Sequence, residues 1–436
     1  MSFCYLTPVQ LAQKMSTYHI ASVHSPATMM ALKLLSATMF NITKKFGKLT
    51  LVAAPKLINT PRPMTLTGEG SGLQLCENIA NLGLKKVQIV SDKVLNEIGV
   101  LAPLAAKLES HGVQAFIFDG IKPDPTHGVV TECIEHFHAN HCDAVLAVGG
   151  GSSIDAAKVV ALATANNKTS KQLIGLLKGW KAPKPFFVIP TTAGTGSEAT
   201  LGAVISDDET HQKGIVLNPK TIPMMVALDA GIMSGMPPKI TAETGMDALT
   251  HAVEAYISEV NTVESDLLCR AAVKMVFENL PVAYKEPKNM QARDAMAQAS
   301  HYGGIALNQG GLGYVHAIAH QVGANYGVPH GLANSIVMPH VLQFSLSTCA
   351  GRLADLAKVV GVAKEGDSDE RAGQAFIDAV KQLIIALNIN TAVPSIDKKH
   401  FPDMAKAAFK EAHNTYAVPK YMQTEDCVKI LSDIAS

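Results

Sequence analysis

Short apolar runs rich in β-branched residues alternate with helix-like segments between about residues 51 and 230. The clearest runs each end in a polar or glycine-rich turn, and they are KKVQIVSD (85–92), VQAFIFDG (113–120), CDAVLAVGGG (142–151) and PFFVIPTT (185–192). Strands that alternate with helices are typical of a parallel sheet covered by helices, so the pattern predicts an α/β domain. In such sheets, ligands collect where the strands end.

Beyond about residue 230 the β-type runs stop, and long segments rich in Ala, Leu, Met and Val follow with helical spacing. The segment MSGMPPKIT (233–241) lies at this change, and its Pro-Pro pair suits neither a helix interior nor a central strand, so we expect a hinge there. We therefore predict an N-terminal extension (1–50), an α/β domain (51–230) and an α-helical domain (231–436). The extension is Met-rich and is assigned no chemistry.

The charge balance excludes two large classes of partner. The 436 residues include 37 Lys plus Arg and 37 Asp plus Glu, so nothing attracts the chain generally to nucleic acid or to an anionic membrane. The apolar run MMALKLLSATMF (29–40) contains Lys33 and is shorter than the roughly 20 apolar residues that cross a bilayer, and no signal peptide is expected. The seven cysteines are scattered without a CxxC pair, which favours a reducing cytoplasm over a disulfide framework or a thiolate zinc site.

The stretch AVLAVGGGSSIDAAK (144–158) runs from a strand through three glycines and two serines into a helix. Gly149, Gly150 and Gly151 permit close approach of the backbone to a phosphate. Ser152 or the serine after it can cap a helix whose N-terminal amides favour an anion. The stretch lacks the GxGxxG spacing, so a tight connection between strand and helix is the alternative interpretation.

A second turn, IPTTAGTGSEAT (189–200), also follows an apolar run and carries hydroxyls at Thr191, Thr192 and Thr195. Two such turns on one sheet could clamp an extended ligand, although an ordinary hydroxyl-rich loop has the same composition. Asp92 ends an earlier strand, where a carboxylate can accept bonds from ribose hydroxyls and repel a 2′-phosphate, so NAD is favoured over NADP. The alternative is that Asp92 caps the helix that follows.

Polar side chains form a stripe on the otherwise apolar segment GMDALTHAVEAYIS (245–258). Asp247 and His251 are four residues apart and share a helix face, which Glu254 and Ser258 extend. A helix this apolar is packed on most sides. The stripe must then face a partner, a cavity or a metal to offset desolvation, unless it faces solvent.

Four histidines follow in a segment (311–340) that has almost no other charge, and they are His316, His320, His330 and His340. A buried, hydrogen-bonded histidine is the usual explanation for any one of them, but four together with the upstream Asp/His pair favour a shared metal. One carboxylate and three neutral imidazoles hold a divalent ion and leave a position open for substrate. Iron(II) and zinc both accept such ligands, and spacing alone does not separate His316 from His320.

Several separated motifs give the sequence a resemblance to the iron-containing, group III metal-dependent alcohol dehydrogenases, from about residue 60 to the C-terminal region. They are VSDKVL (90–95), GIKPDPT (120–126), GGGSSIDAAK (149–158), IPTTAGTGSEAT (189–200), GMDALTHAVEAY (245–256), GLGYVHAIAH (311–320) and GVPHGLAN (327–334), in the family's order and spacing. The resemblance implies a dehydroquinate synthase-like fold. This consists of an N-terminal Rossmann-like dinucleotide-binding α/β domain and an all-α C-terminal metal-binding domain, with the active site between them.

The resemblance also implies site residues, which come from these motifs and, for Lys213, from QKGIVLNP (212–219). The metal ligands would be Asp247, His251, His316 and His330. His320 would be the catalytic group near the nicotinamide, as a proton relay, and His340 would be structural. The cofactor-binding residues would be Asp92, Gly149, Gly150, Gly151, Ser152, Asp155, Thr191, Thr192, Thr195 and Lys213. The sequence departs from the family pattern at NTYAVPKYM (414–422), where many relatives carry an Asn-Pro-Arg turn.

The function implied by the resemblance is interconversion of a primary or small alcohol with its aldehyde or ketone. NAD(H) would carry the hydride and Fe2+ or Zn2+ would be the metal, in a cytoplasmic homo-oligomer such as a dimer. A polyol dehydrogenase of the same fold is an alternative. A dehydroquinate synthase-type lyase is another, although its substrate needs many basic groups and the helical motifs are short of Lys and Arg. A non-catalytic protein with a structural metal is the third.

Overall fold

Nine strands form two sheets in the part of the chain that this computed structural model describes, which comprises residues 60–210, 212–394, 396–413 and 415–435. They are β1 (Met64–Thr67), β2 (Lys86–Asp92), β3 (Gln114–Ile121), β4 (Ala144–Gly149), β5 (Gly175–Leu176), β6 (Phe186–Pro190), β7 (Gly202–Ser206), β8 (Lys213–Leu217) and β9 (Met225–Leu228). The four strands predicted from the sequence are β2, β3, β4 and β6. The predicted extension (1–50) lies outside the described residues.

The larger sheet has the order β1-β9-β6-β4-β2-β3, and every neighbouring pair in it is parallel. The strands β4 and β6 are buried along their whole length. Strands covered by helices on both faces need apolar side chains at every position, which is why these two are uninterrupted apolar runs in the sequence. The smaller sheet, β5-β8-β7, pairs β7 with β8 in antiparallel fashion.

The described residues also contain fifteen α-helices. They are α1 (Ser71–Asn81), α2 (Lys93–Glu97), α3 (Leu101–Ser110), α4 (His127–Ala139), α5 (Gly151–Asn166), α6 (Ser170–Leu173), α7 (Ala230–Met233), α8 (Pro238–Ile257), α9 (Val263–Lys285), α10 (Met290–Gly310), α11 (Tyr314–Tyr326), α12 (His330–Val359), α13 (Asp369–Ala386), α14 (Phe401–Ala412) and α15 (Thr424–Asp433). None of these helices is both long and apolar enough to cross a membrane.

The chain changes direction across the larger sheet between β2 and β4. It leaves β2 for β3 on one side and then continues to β4 on the other side of β2. A crevice forms at the carboxyl ends of strands where the order reverses in this way. Asp92 ends β2 and Gly149 ends β4, so two of the predicted cofactor motifs meet at that edge.

The helical half is built around α8, which packs against α9, α10 and α12. Its residues from Thr241 to Ile257 are buried, except for the half-buried Thr244. The Pro-Pro pair predicted to mark a hinge starts this helix, with Pro237 at the N-cap and Pro238 at the first helical position, where a missing N–H costs no hydrogen bond. The predicted fold class, a Rossmann-like parallel α/β part followed by a helical part, is confirmed.

Candidate active site

The first glycine turn joins β4 to α5. The helix begins at Gly151 with Gly150 as its N-cap, and no side chain caps its free N-terminal amides. The prediction that Ser152 or Ser153 caps this helix is therefore wrong, because the chain becomes helical before it reaches them. A Cβ at Gly149 would lie 2.6 Å from the Cβ of Ser153, so only glycine fits there. Uncapped amides at a helix start favour an anion such as a phosphate.

The second turn touches the first along the carboxyl edge of the sheet. The backbone N–H of Thr191 donates to the carbonyl of Gly149 at 3.0 Å. A Cβ on Gly150 would lie 3.5 Å from the Thr192 side chain. On Gly151, a Cβ would lie 2.8 Å from Cγ2 of Thr195. The structure thus brings together the glycines and threonines predicted to bind the cofactor, with Ser152 half-buried beside them.

Asp92 and Lys213 lie at the end of β2 and on the smaller sheet, respectively. Oδ1 of Asp92 accepts a hydrogen bond from the backbone N–H of Leu95 at 3.0 Å, so the helix-capping role that competed with ribose binding is present. Nζ of Lys213 lies 2.8 Å from Oδ1 of Asp124, in the loop after β3. This ion pair connects Lys213 with the loop after β3 and not with the two glycine turns. Contact of Lys213 with a cofactor therefore remains a prediction.

Asp155 and Lys158 fasten the second turn to α5. Asp155 accepts from the Ser197 hydroxyl at 2.5 Å and from the Val204 backbone N–H at 2.9 Å. Lys158 is fully buried, which lowers its pKa, and donates to Ser197 at 2.9 Å and to the Thr200 hydroxyl at 3.0 Å. Both oxygens of Asp155 are engaged within the protein, so its predicted contact with the cofactor stays a prediction. Sequence reasoning missed Lys158, although a lysine among apolar helical residues was a signal.

The second turn also lies directly on the helical half. Gly194 is so close to α8 that a Cβ would lie 2.8 Å from the carbonyl oxygen of Thr244. A Cβ on Gly304 of α10 would lie 2.4 Å from the carbonyl oxygen of Gly196. Thr244 precedes Asp247 by one helical turn, so the proposed cofactor surface and the polar stripe of α8 are neighbours.

Asp247 lies close to three histidines in the helical half, and the ligand atoms of Asp247, His251 and His316 all lie within 4.8 Å of one another. Oδ1 of Asp247 lies 3.4 Å from Nε2 of His330, 3.6 Å from Nε2 of His316 and 4.0 Å from Nε2 of His251. The rings of His251 and His316 stack with centroids 4.7 Å apart. Asp247, His251 and His316 are buried, whereas the His330 side chain is 40% exposed. His330 therefore lies on the open side of the cluster.

The electrostatics of this cluster favour an ionised acid among imidazoles. Burial opposes ionisation of Asp247, but the imidazoles of His251 and His330 outweigh it and hold the pKa of the carboxyl well below its usual range. Burial lowers the pKa of His251 to about 4. Burial also acts against a charged His316, but the carboxylates of Glu254 and Asp247 raise the pKa of this histidine to about 9. A proton and a cation would therefore compete for Nε2 of His316.

Glu254 holds His316 from behind. Its Oε2 accepts from Nδ1 of His316 at 2.7 Å and from the backbone N–H of Gly313 at 2.8 Å. Its Oε1 accepts from the backbone N–H of Val315 at 2.7 Å. The bond to Nδ1 turns Nε2 toward Asp247, the arrangement that ligating histidines generally have. The sequence placed Glu254 on the polar stripe without assigning it this role.

Asn334 is a further member of the cluster that sequence reasoning missed. Its amide nitrogen donates to Oδ1 of Asp247 at 2.7 Å and lies 3.2 Å from Nε2 of both His316 and His330. It follows His330 by one helical turn, and this spacing was the only available signal. Asn334 Oδ1 and Nδ1 of His251 are buried without a hydrogen-bond partner among the described residues.

His320 and His340 lie outside the four-residue cluster. The ring of His320 stacks on that of His330 with centroids 5.3 Å apart, and its Nδ1 donates to Oε1 of Glu411 at 2.8 Å. Burial lowers the pKa of His320, and Glu411 opposes this effect. His340 faces Asp433 at 4.0 Å, away from the cluster. The structure thus separates the two positions, 316 and 320, that spacing left equivalent.

Two family profiles together match most of the chain. The profile of the iron-containing alcohol dehydrogenases matches residues 63–230, and the profile of the C-terminal part of the Fe-containing alcohol dehydrogenase family matches residues 241–435. The chain belongs to the iron-containing alcohol dehydrogenase family. The family resemblance and the alcohol dehydrogenase class of activity predicted from the motifs are therefore confirmed.

This chain matches relatives in the alcohol dehydrogenase family over nearly their whole length. The NAD-dependent methanol dehydrogenase of Bacillus methanolicus is 35% identical over 377 residues, which is 85% of this chain and 98% of the relative. The lactaldehyde reductase of Escherichia coli (strain K12) is 35% identical over 83% of this chain and 95% of its own. A crystal structure of a 1,3-propanediol oxidoreductase superimposes with a TM-score of 0.83 at 33% identity, over 86% of this chain and 99% of that one.

The donor set of this alcohol dehydrogenase fits a divalent cation. Ligand atoms held about 2.1 Å from a tetrahedral cation lie about 3.4 Å apart. The distances of 3.4, 3.6 and 4.0 Å from Asp247 Oδ1 to the three Nε2 atoms are close to that spacing. One carboxylate with three imidazoles suits iron(II) or zinc.

Proposed function

We propose that this chain is a metal-dependent, NAD(H)-linked oxidoreductase that interconverts a primary or small alcohol with its aldehyde or ketone. The observation that carries the proposal is the position of His251, His316 and His330 around Asp247. This group lies one helical turn from Thr244, on which the second glycine turn rests. In the overall reaction the alcohol loses a hydride to NAD+ and a proton to solvent, which gives the carbonyl compound and NADH.

The proposed metal ligands are Asp247, His251, His316 and His330, with Fe2+ or Zn2+ as the ion. When bound, such an ion supplies Lewis acidity toward the substrate oxygen. The chain's own contribution is to hold three Nε2 atoms within 4.0 Å of Oδ1 of Asp247, with Glu254 behind His316 and Asn334 against Asp247. The exposure of His330 marks the side from which substrate would enter.

The proposed cofactor is NAD(H), which supplies hydride transfer when bound. The uncapped start of α5 offers its amides to a pyrophosphate, and the adjoining threonines belong to the turn that rests on Thr244, one helical turn from Asp247. The proposed contacts are Asp92, Gly149, Gly150, Gly151, Ser152, Asp155, Thr191, Thr192, Thr195 and Lys213. Asp92 at the end of β2 supports NAD over NADP, because a carboxylate repels a 2′-phosphate.

The proposed proton carrier is His320. Its Nδ1 is bonded to Glu411, while Nε2 lies on the opposite edge of a ring that stacks on His330. A histidine with one nitrogen anchored and the other free can accept a proton from substrate or from a ribose hydroxyl and pass it to water. The side chain is 24% exposed, so a route to solvent exists.

A diol or other small polyol is the second candidate substrate. Relatives of similar identity are named lactaldehyde reductase and 1,3-propanediol dehydrogenase, and both names denote small polar substrates. We also propose a cytoplasmic homodimer, as the family resemblance implies.

The test is a screen for NADH or NADPH oxidation with short aldehydes, hydroxyaldehydes and ketones, on protein loaded separately with Fe(II) and Zn(II). We expect turnover with NADH that is lost in Asp247→Ala and in His251→Ala together with bound metal. Turnover in those variants equal to that of the wild type would contradict the proposal, as would cyclisation of a substrate without net NADH consumption. Light scattering in solution tests the dimer.

A further inference from the structure

His320 belongs to a three-residue chain of hydrogen bonds that leads away from the metal cluster. Nδ1 of His320 donates to Oε1 of Glu411 at 2.8 Å, and the hydroxyl of Tyr416 donates to the same oxygen at 2.6 Å. His320 lies on α11 and Glu411 near the end of α14, and these helices pack against each other. Tyr416 comes from the segment that departs from the family's sequence pattern.

The surroundings of Glu411 and Tyr416 determine the charge of each side chain. Burial favours a neutral Glu411, but its hydrogen bond with His320 outweighs this effect and lowers the pKa of the carboxyl. Burial, and then the neighbouring Glu411, raise the pKa of Tyr416 well above its usual value. Tyr416 therefore keeps its proton and Glu411 is a carboxylate with two donors on one oxygen. Two donors on a single acceptor fix the position of that acceptor.

A carboxylate that accepts from Nδ1 also determines which nitrogen of a neutral imidazole carries the proton. Nδ1 of His320 bears the hydrogen, and Nε2 is left as an acceptor on the opposite edge. The ring is held nearly parallel to His330, with an angle of 21° between the planes. Nε2 makes no hydrogen bond among the described residues. The bond from Nδ1 to Glu411 is therefore the one side-chain hydrogen bond in the described residues that orients the ring.

We propose that Glu411 and Tyr416 are positioning residues for the reaction, which fix the tautomer and the ring orientation of His320 so that Nε2 can accept a proton beside the metal site. This inference rests on the role of His320 under the proposed function. It assigns Tyr416 to Glu411 and not to substrate, because its hydroxyl is already used in the bond to the carboxylate. Tyr416 thereby acts on turnover through Glu411.

The test is a double-mutant cycle on the metal-loaded enzyme, with kcat and KM measured for NAD+ reduction by the alcohol that gives most turnover. We expect His320→Ala to lower kcat by about 10²-fold, in the range of general acid–base catalysis. Glu411→Ala should lower kcat by about tenfold or more with little change in KM for NAD+, and by less than about twofold when His320 is already Ala. Glu411→Gln keeps an acceptor oxygen and should restore part of kcat, and Tyr416→Phe should lower kcat less than Glu411→Ala.

The control is Lys410→Gln, a change at an exposed position next to Glu411 on the same helix, which should leave kcat unchanged. Metal content and circular dichroism are measured for every variant. A Glu411→Ala effect as large in the His320→Ala background as in the wild type would show a structural role and overturn the inference. Normal kcat in Glu411→Gln and Tyr416→Phe would also overturn it. Normal kcat in His320→Ala would instead overturn the proton-carrier part of the proposed function.

Discussion

Nδ1 of His316 and Oε2 of Glu254 lie 2.7 Å apart, and both side chains are buried. Glu254→Gln keeps one acceptor oxygen, enough for Val315 or for Gly313 and His316 but not for both sides, and replaces the carboxylate by a neutral amide. We expect metal affinity to fall by about 10- to 100-fold, because a hydrogen-bonded carboxylate behind a ligating histidine sets its orientation and basicity. Chelator competition followed by elemental analysis measures the change, with the exposed Glu278→Gln as a control.

Glu254→Ala removes the acceptor altogether and leaves three buried donors without partners. We expect the free energy of unfolding to fall by about 3–5 kcal/mol, as for other buried pairs that lose one member. Denaturant unfolding of the metal-free protein measures it. A loss equal to that in Glu254→Gln would mean that the one acceptor oxygen that Gln keeps contributes nothing to stability.

Asn334 donates to Asp247 Oδ1 at 2.7 Å, so it orients the carboxylate that faces all three imidazoles. Asn334→Ala should weaken metal binding by about tenfold without unfolding the protein. The matched control is Asn325→Ala, whose amide bonds only within its own helix and lies at the surface. Equal metal affinity in the two variants would show that Asn334 has no effect on the ligand set.

Gly304 leaves no room for a side chain, because a Cβ would lie 2.4 Å from the carbonyl oxygen of Gly196. Gly304→Ala should lower the free energy of unfolding by about 1–3 kcal/mol, since backbone has to move to admit the methyl group. Its neighbour Gly303 is the control, because a Cβ there would meet Ala248 at an ordinary 3.4 Å. Gly303→Ala should be neutral or stabilising by up to about 1 kcal/mol, the helix propensity difference. Equal stability losses would contradict this interpretation.

Six cysteines in the described residues are buried, and burial raises the pKa of each thiol. The pKa is raised to about 12 for Cys76, Cys269 and Cys427, to about 11 for Cys142 and Cys349, and further still for Cys133. The thiolate is the reactive form, and its fraction falls tenfold for each pH unit below the pKa. At pH 8 we expect these six to resist a thiol reagent until denaturant is added. Rapid reaction of two or more thiols in the native protein would contradict the prediction.

The strand pattern and the turns were predictable from sequence because each is a local signal. The runs that became β2, β3, β4 and β6 carry their apolar side chains and their terminal glycines in adjacent positions. The predicted serine cap would start α5 later than Gly151, because a serine cap and an uncapped glycine entry have nearly the same composition.

Residues that act across the fold were not predictable by spacing. His316 and His320 share a helix face, and only the packing of α11 places His316 against Asp247 and His320 against Glu411. Asn334 is one asparagine in an apolar run, and its contact with Asp247 spans 87 positions. The family resemblance supplied the choice of His316, and the distances give its physical reason.

The close contact of Gly196 with Gly304 has a mechanical consequence. No atom fits between these two backbones, and Lys158 ties the same turn to α5, so the turn cannot slide on either neighbour without losing both sets of contacts. The contact of Gly196 with Gly304 holds the turn at the carboxyl edge of the sheet against α10. A movement that separated this edge of the sheet from α10 would have to break the contact of Gly196 with Gly304, so any opening motion of the protein has to take place elsewhere.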